Sequence, residues 1–521
     1  MSVLLRSVLA VLCGVALALA FEPVAAWFLL PFAVAGFVLA TRGLTARRGW
    51  IPGLAFGVGF YFVLTYWMRS VGTDAWLGMA SFEALFYAVL GSVSAALHRR
   101  RLWPLWIAAA WVTMESWRAD WPFSGMPWGR LSFAVVDSPF QTALPYVGST
   151  GVSLGLALLG ALLAWLVVSH GRDRLAPVCA LVGFGVLTTM TNVWSYDPHT
   201  VRDVTVAAVQ GDVPGNGDNI LLDYRQVTQN QVDATIALAD RVASGEQPRP
   251  DFVLWPENST AVDPFSDAIT NAGIRAASEA IGVPILVGAI VDAGPGHVLN
   301  QGIVWDPVTG AGERYTKRHP VVFGEYIPFR KFLDGLKIGR LTMVGRDMLS
   351  GTRKTPLTVG GVEVADSICF DVAYDDGIYE QVDRGAELLT VQTSNATFIH
   401  TDQIEQQFAM TRLRAVETGR WVVVASTNGL SGVIAPDGSV VATAEKRTQA
   451  VMDEQVGLST GIPFGVRLGP WTGRACFALT CLGLLLGVVP YRRRQPLQEP
   501  GPREAAVAPD FPHETSTPIS T

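Results

Sequence analysis

The sequence is short of charge, of histidine and of cysteine. Asp, Glu, Lys and Arg together make up 16% of its 521 residues, against roughly a quarter in an average soluble protein. Net charge is −6 and the pI about 5.7, so there is no basic surface to recruit nucleic acid. The seven histidines are scattered, and no pair has metal-ligand spacing. Neither a metal nor another cofactor is expected. Of five cysteines, Cys13, Cys179, Cys476 and Cys481 lie in apolar runs, which leaves Cys369 alone in the polar part. That pattern excludes a disulfide framework and zinc-ligand spacing.

Long apolar runs are what the chain has in quantity. Half its residues are hydrophobic and mean hydropathy is +0.31, unevenly distributed, which points to membrane spans plus one polar domain. A span needs roughly 20 apolar residues. The candidates are Val3–Phe21, Ala25–Thr41, Trp50–Val71, Trp76–Leu97, Leu102–Trp117, Val152–His170 and Ala176–Trp194, with an eighth, Trp471–Tyr491, after a long polar insert. Arg6 before an apolar core also fits a signal peptide. The short F-E-P-V link to the next run reads instead as a tight turn between two spans.

Arginine placement gives an orientation. Arg42, Arg47, Arg48, then Arg99, Arg100, Arg101, then Arg172 and Arg174 follow the even-numbered spans, and Arg492, Arg493 and Arg494 follow the last. The other loops are nearly bare. Both termini are therefore expected in the cytoplasm, with the insert outside it. The loop after the fifth span, with Glu115 and Arg118 near the membrane boundary, carries Trp117, Trp121 and Trp128. These fit an interfacial aromatic belt or part of a lipid entrance. Gly53 and Gly57 have the spacing of helix packing.

From Val201 to Val456 strands alternate with helical stretches. V-T-V-A-A-V-Q, D-F-V-L-W, V-P-I-L-V-G-A-I-V, G-I-V-W-D, E-L-L-T-V-Q-T and W-V-V-V-A-S read as strands. Tyr224–Ala243, a stretch near Asp267–Ala280 and another near Gln403–Thr418 read as helices, and Pro436-Asp437-Gly438 as a hairpin turn. Strands flanked by helices imply an α/β layered sheet covered on both faces. Three strand ends carry reactive polarity: Glu257 after D-F-V-L-W-P, Lys317 after E-R-Y-T, and Cys369 at an elbow before an acidic turn. Thiol, carboxylate and amine are the parts of an activated nucleophile with an oxyanion holder. Taken singly, Cys369 also fits inert core, Glu257 a helix cap and Lys317 a solvated loop charge.

In order, W-P-E, Y-x-K-R-H-x-x-x-F-G-E-Y-x-P-F, I-C-F-D and T-S-N-A-T-F resemble the nitrilase superfamily with its Glu-Lys-Cys triad. The F-G-E-Y-I-P-F version (Phe323–Phe329) behind membrane helices looks like that superfamily's apolipoprotein N-acyltransferase family, and E-x-W-R with G-x-P-W resembles its membrane-domain signature. The resemblance implies a multi-pass α-helical membrane domain plus an α/β nitrilase-like αββα sandwich. The divisions expected are 1–200, 201–456, a linker and eighth span over 457–494, and a disordered tail over 495–521. It implies that Glu257 takes the thiol proton, Cys369 attacks and Lys317 stabilises the oxyanion, with Glu325, Phe370 and Asp371 in support. Asp371, where the family commonly has glutamate, and Ser394–Phe398, where it has S-N-D-x-W-F, depart from the pattern.

The expected function is transfer of a fatty acyl chain from a phospholipid, through a cysteine thioester, to the α-amino group of a diacylglyceryl-cysteine at an apolipoprotein N-terminus. The setting is the lipid bilayer of a bacterial inner membrane, with the active domain extracytoplasmic. The alternatives are a membrane-anchored nitrilase-type amidase, a noncatalytic scaffold or transporter, and a cysteine hydrolase assisted by His319. Few ionisable residues in the spans argue against transport. Gly335–Gly351 is a candidate lid.

Overall fold

Seven helices precede the first strand, as the apolar runs predict. A computed structural model describes residues 1–221, 223–333, 344–488 and 520. The helices are α1 (Val3–Ala18), α2 (Leu30–Thr41), α3 (Ala46–Leu64), α4 (Thr73–Leu97), α5 (Trp103–Asp120), α6 (Leu144–Val168) and α7 (Leu175–Val193). By length and composition Thr73–Leu97, Gln141–Val168 and Gly171–Val193 can each cross a bilayer, and Val3–Ala18 and Trp27–Thr41 are shorter apolar helices. α3 and α4 meet backbone to backbone, since a Cβ on Gly53 would lie 2.3 Å from the Tyr87 carbonyl oxygen.

Two departures from the expected spans bear on the site. α5 runs on to Asp120, so Glu115 and Arg118 sit on its buried face rather than in an interfacial loop. The spans thus do hold buried ions: Arg118 pairs with Glu83 of α4 at 3.3 Å and donates to the carbonyl oxygens of Met126 and Trp128. All three contacts are made through Nη1. α6 starts at Leu144, not Val152, because the polar residues in its first turns find buried partners. It is broken at Gly148 (φ 68°, ψ 172°), in backbone space open essentially to glycine alone.

The rest of the described chain is two sheets and their helices. The strands are β1 (Thr200–Gln210), β2 (Phe252–Leu254), β3 (Ile285–Asp292), β4 (His297–Asp306), β5 (Gly310–Thr316), β6 (Asp347–Met348), β7 (Leu357–Val359), β8 (Val362–Ile368), β9 (Leu388–Thr393), β10 (Val422–Ser426), β11 (Ser431–Ile434), β12 (Val440–Ala444) and β13 (Ala450–Ser459). The helices are α8 (Tyr224–Ala243), α9 (Ala268–Ile281), α10 (Arg330–Leu333), α11 (Asp375–Asp383), α12 (Gln403–Thr418) and α13 (Phe464–Val488). One sheet has the order β13-β1-β2-β3-β4-β5, with β6 on β4; the other is β12-β11-β10-β9-β8-β7. β11 and β12 form the expected hairpin, with Gly438 at φ 84° in its turn.

Strand alternation builds the layers. On β1, Val206 and Ala208 enter the core between the sheets with Leu254, Val364, Ile368 and Val423. Ala207 and Val209 pack outward on Val232, Leu238, Ile274 and Ala277 of α8 and α9. On the second sheet Leu389, Val391, Val422 and Val424 pack on Met410 and Leu413 of α12, and that core continues into the helical bundle. The result is an αββα sandwich whose last helical layer lies against the membrane helices. α13 returns to the bundle and packs on α5 and α6. The expected tail over 495–521 lies outside the described residues except for 520.

Candidate active site

Cys369 follows β8 directly and has φ 52°, a left-handed conformation uncommon for a side chain of this kind and typical of strained functional turns. A short 3-10 turn, Cys369–Ala373, leads from it into α11. The elbow is anchored on several sides. The Asp371 carboxylate accepts from Tyr315 Oη at 2.9 Å and from the backbone N–H groups of Arg318 (3.1 Å) and His319 (2.8 Å). It therefore clasps the segment after Lys317 against the nucleophile turn. The Val372 carbonyl accepts from Arg414 Nε at 2.8 Å. The Phe370 ring stacks on Trp128 at 6.1 Å between centroids.

Glu257 and Lys317 are buried beside this elbow, 3% and 1% exposed. Lys317 Nζ donates to Glu257 Oε1 at 3.2 Å and to Glu325 Oε1 at 2.7 Å. An ammonium has three N–H groups, so one remains for a developing oxyanion. Glu257 Oε1 also accepts from Asn300 Nδ2 at 2.8 Å, and Oε2 from the Ser394 N–H at 2.9 Å. Both lone pairs of Oε1 are thus engaged, and Oε2 keeps one acceptor site on a carboxylate that can no longer swing. Glu325 Oε2 accepts from the Val321 N–H at 2.7 Å.

Two carboxylates share one ammonium here. Burial alone would push Lys317 down, but Glu257 and then Glu325 outweigh it and hold the amine well above its usual value. Burial raises Glu325, with Lys317 opposing. Burial, and then the Glu257 charge, push the Cys369 thiol up to about 12 against the pull of Lys317. At neutral pH the sulfur is therefore a thiol. Attack by such a sulfur has to be coupled to removal of its proton. Cys369 itself remains partly exposed, so a substrate can reach it.

A second ionic cluster lies on the bundle side of the elbow. Asp375, the first residue of α11, accepts from Arg130 Nη1 at 2.8 Å and pairs with Arg414 Nη2 at 2.9 Å. Arg130 also donates to Thr150 Oγ1 at 2.8 Å. Glu417 pairs with Arg414 and accepts from the Ser149 N–H, at the restart of α6, and from Tyr379 Oη.

With this geometry in hand, the comparisons are decisive. Residues 13–162 match the family model for the apolipoprotein N-acyltransferase N-terminal domain, and 205–463 match carbon-nitrogen hydrolase. A protein of Mycolicibacterium smegmatis named apolipoprotein N-acyltransferase is 36% identical over 482 residues, covering 88% of this chain and 81% of the relative. The chain belongs to the apolipoprotein N-acyltransferase family. A member from Chromobacterium violaceum is 27% identical, covering 95% of this chain and 96% of its own length. Among solved structures, an amidase from Nesterenkonia sp. is 17% identical, covers 51% of this chain and 94% of that one, with a TM-score of 0.37. The two family models and the relatives of the same name make this chain an acyltransferase whose second domain is of the carbon-nitrogen hydrolase, nitrilase-like type, and they favour that reading over the amidase alternative.

In the acyltransferase, Glu257, Lys317, Glu325, Phe370, Asp371 and Cys369 all come together. His319 does not join them: its Nε2 meets Asp376 at 2.9 Å and its ring stacks on Tyr374 at 3.7 Å. Trp128 also departs from expectation. It is 1% exposed, packed on Trp67 at 5.4 Å, and donates from Nε1 to Gln406 at 2.7 Å, whereas Trp117 and Trp121 remain exposed as a belt requires. An indole with its N–H satisfied is cheaply buried. Asn300 and the Ser394 N–H, which hold the Glu257 carboxylate, were not singled out for that contact, being a mid-strand amide and a backbone atom. Of the expected lid Gly335–Gly351, 335–343 lies outside the described residues, and Asp347–Met348 pairs with β4.

Proposed function

We propose that Cys369 takes a fatty acyl chain from a phospholipid as a thioester and passes it to the α-amino group of an apolipoprotein's diacylglyceryl-cysteine. Glu257 removes the thiol proton as sulfur attacks the ester carbonyl, and Lys317 meets the oxyanion with its remaining N–H. The C–O bond breaks, and the departing alkoxide takes the proton back from Glu257 as lysophospholipid. The amine then attacks the thioester, Glu257 accepts its proton, the C–S bond breaks, and the proton returns to sulfur. The two half-reactions share one site, giving ping-pong kinetics.

One observation carries this reading: a strained thiol, a buried base and a buried amine meet where an apolar helical bundle abuts the sandwich. The apolar wall of Trp67, Trp128, Phe370 and Phe398 beside the elbow supports acyl transfer over hydrolysis, because water must be kept from the thioester. The arginine pattern supports an extracytoplasmic active domain with both termini in the cytoplasm of a bacterial cell, within its inner membrane. The divisions 1–200, 201–456, 457–494 and 495–521 follow the same logic.

The test is intact-mass analysis of the full chain mixed with phospholipid vesicles. An acyl-sized adduct on Cys369, discharged by a diacylglyceryl lipopeptide amine, is the expected result. Release of free fatty acid without lipopeptide acylation sinks the proposal.

A further inference from the structure

Thr393, the last residue of β9, ends beside the nucleophile, because the parallel register pairs Ile368 with Gln392. Its hydroxyl oxygen accepts from Gln407 Nε2 at 3.3 Å. The direction of that bond is set from the far end of a buried chain. The Gly429 N–H, which can only donate, bonds Ser426 Oγ at 2.8 Å, so the Ser426 hydroxyl gives its own hydrogen to Asn395 Oδ1 at 2.9 Å. Asn395 therefore presents Nδ2 to Gln407 Oε1 at 3.0 Å, where Gln403 Nε2 also donates at 3.1 Å. With its oxygen doubly engaged, Gln407 turns Nε2 to Thr393. One lone pair of the Thr393 oxygen is thus occupied, and its hydrogen is left to point elsewhere.

All five side chains are buried, so no bulk water competes for that hydrogen, and the aligned chain polarises it further. β9 packs against the Cys369–Ala373 turn, and the neighbouring Thr393 hydroxyl pulls the Cys369 thiol down against burial. The other neighbours explain why such help matters. The two carboxylates around Lys317 outnumber its charge, and the field at sulfur opposes ionisation.

Resting on Cys369 as nucleophile, we propose that Thr393 is a further catalytic residue of this acyl transfer. Its hydroxyl donates to Cys369 Sγ as the thiol proton leaves for Glu257, and again as sulfur departs from the thioester. Gln407 is the positioning residue that keeps the hydroxyl turned that way. No atom is transferred by Thr393; it holds negative charge on sulfur while the S–H and C–S bonds break.

The experiment follows the rate of iodoacetamide alkylation of Cys369 at a fixed pH of about 9, where the rate tracks the small thiolate fraction, by peptide mass spectrometry on the full chain in detergent. Thr393→Val, which keeps shape and loses the donor, should slow alkylation and thioester formation roughly tenfold. Thr393→Ser should restore the wild-type rate. Gln407→Met, which removes the amide that turns the hydroxyl without adding charge, should slow alkylation alone but add nothing in the Thr393→Val background. A Thr393→Val rate equal to wild type overturns the proposal, and so does full additivity of the two substitutions. If Thr393→Val does not fold, an unchanged Gln407→Met rate overturns it equally. Alkylation does not need acyl transfer, so failure of the nucleophile reading shows separately, as lipopeptide acylation by Cys369→Ala.

Discussion

The two ionic clusters that flank the elbow use the same kinds of residue and differ in their arithmetic. On the bundle side, Arg130 and Arg414 face Asp375 and Glu417, two charges of each sign. On the other side, Glu257 and Glu325 share Lys317 alone. The balanced cluster ties α6, the loop before it, α11 and α12 into one unit and leaves no excess field. The unbalanced one keeps a net negative charge next to Cys369, holds the thiol protonated at rest, and retains an N–H and lone pairs for a reaction. Balance holds a structure together, whereas imbalance stores a readiness to move a proton.

Substitutions should separate the two roles. The largest effect is expected from Cys369→Ala, which should abolish acyl transfer to a lipopeptide while the thermal unfolding midpoint stays unchanged, since a small partly exposed group is lost. Lys317→Met should lower turnover on the order of 10²–10³-fold, read as the rate of adduct formation on Cys369; turnover near wild type would remove the oxyanion role. Arg414→Met should act chiefly on stability, by about 3–5 kcal/mol, because it leaves two buried carboxylates short of a partner. Denaturant unfolding in detergent measures this, and a loss of turnover without a loss of stability would erase the contrast between the clusters. Glu325→Gln should make the reactive cluster less negative, lower the thiol's pKa, and so speed alkylation of Cys369 at a fixed mildly alkaline pH.

The smallest effect concerns Asp366, buried between the sheets, where burial pushes its carboxyl up to about 7 against a hydrogen bond from Thr390. A raised folded-state value means stability that is full below the ordinary carboxylate pKa of about 3.9 and lost as pH climbs toward 7. Asp366→Asn should flatten the pH dependence of unfolding across that window. A parallel slope in the variant would show that the carboxyl ionises elsewhere.

Much of the reactive cluster was legible in the sequence, and almost none of the balanced one was. Glu257 and Cys369 each follow a short apolar strand and Lys317 a more polar one, and a strand end followed by a polar residue is a local pattern. Helices over Tyr224–Ala243 and Gln403–Thr418 carry their own periodicity and appear where expected. Arg130 and Asp375, by contrast, are 245 residues apart and look like ordinary loop and helix-start charges until the fold joins them. The pairing of Glu83 with Arg118 was hidden for the same reason, because a partner on a neighbouring helix has no trace in either helix's own pattern. For Trp128 the sequence leaves a belt and a lipid entrance both open, since a tryptophan near a span suits several settings; the Gln406 amide that satisfies its N–H lies 278 residues away. The protonated thiol needed the count of neighbouring charges, which only the assembled site supplies.

The restart of α6 at Ser149 has its first free N–H satisfied by Glu417, a residue of the sandwich. A helix in one half of the molecule is therefore capped by a carboxylate from the other, and neither half is self-sufficient. A soluble piece cut to residues 200–459 would carry Glu417 and Asp375 without Arg130 or the capped turn. It should express as an unstable or aggregating product: for this enzyme, crystals and assays call for the whole chain in a lipid-like medium.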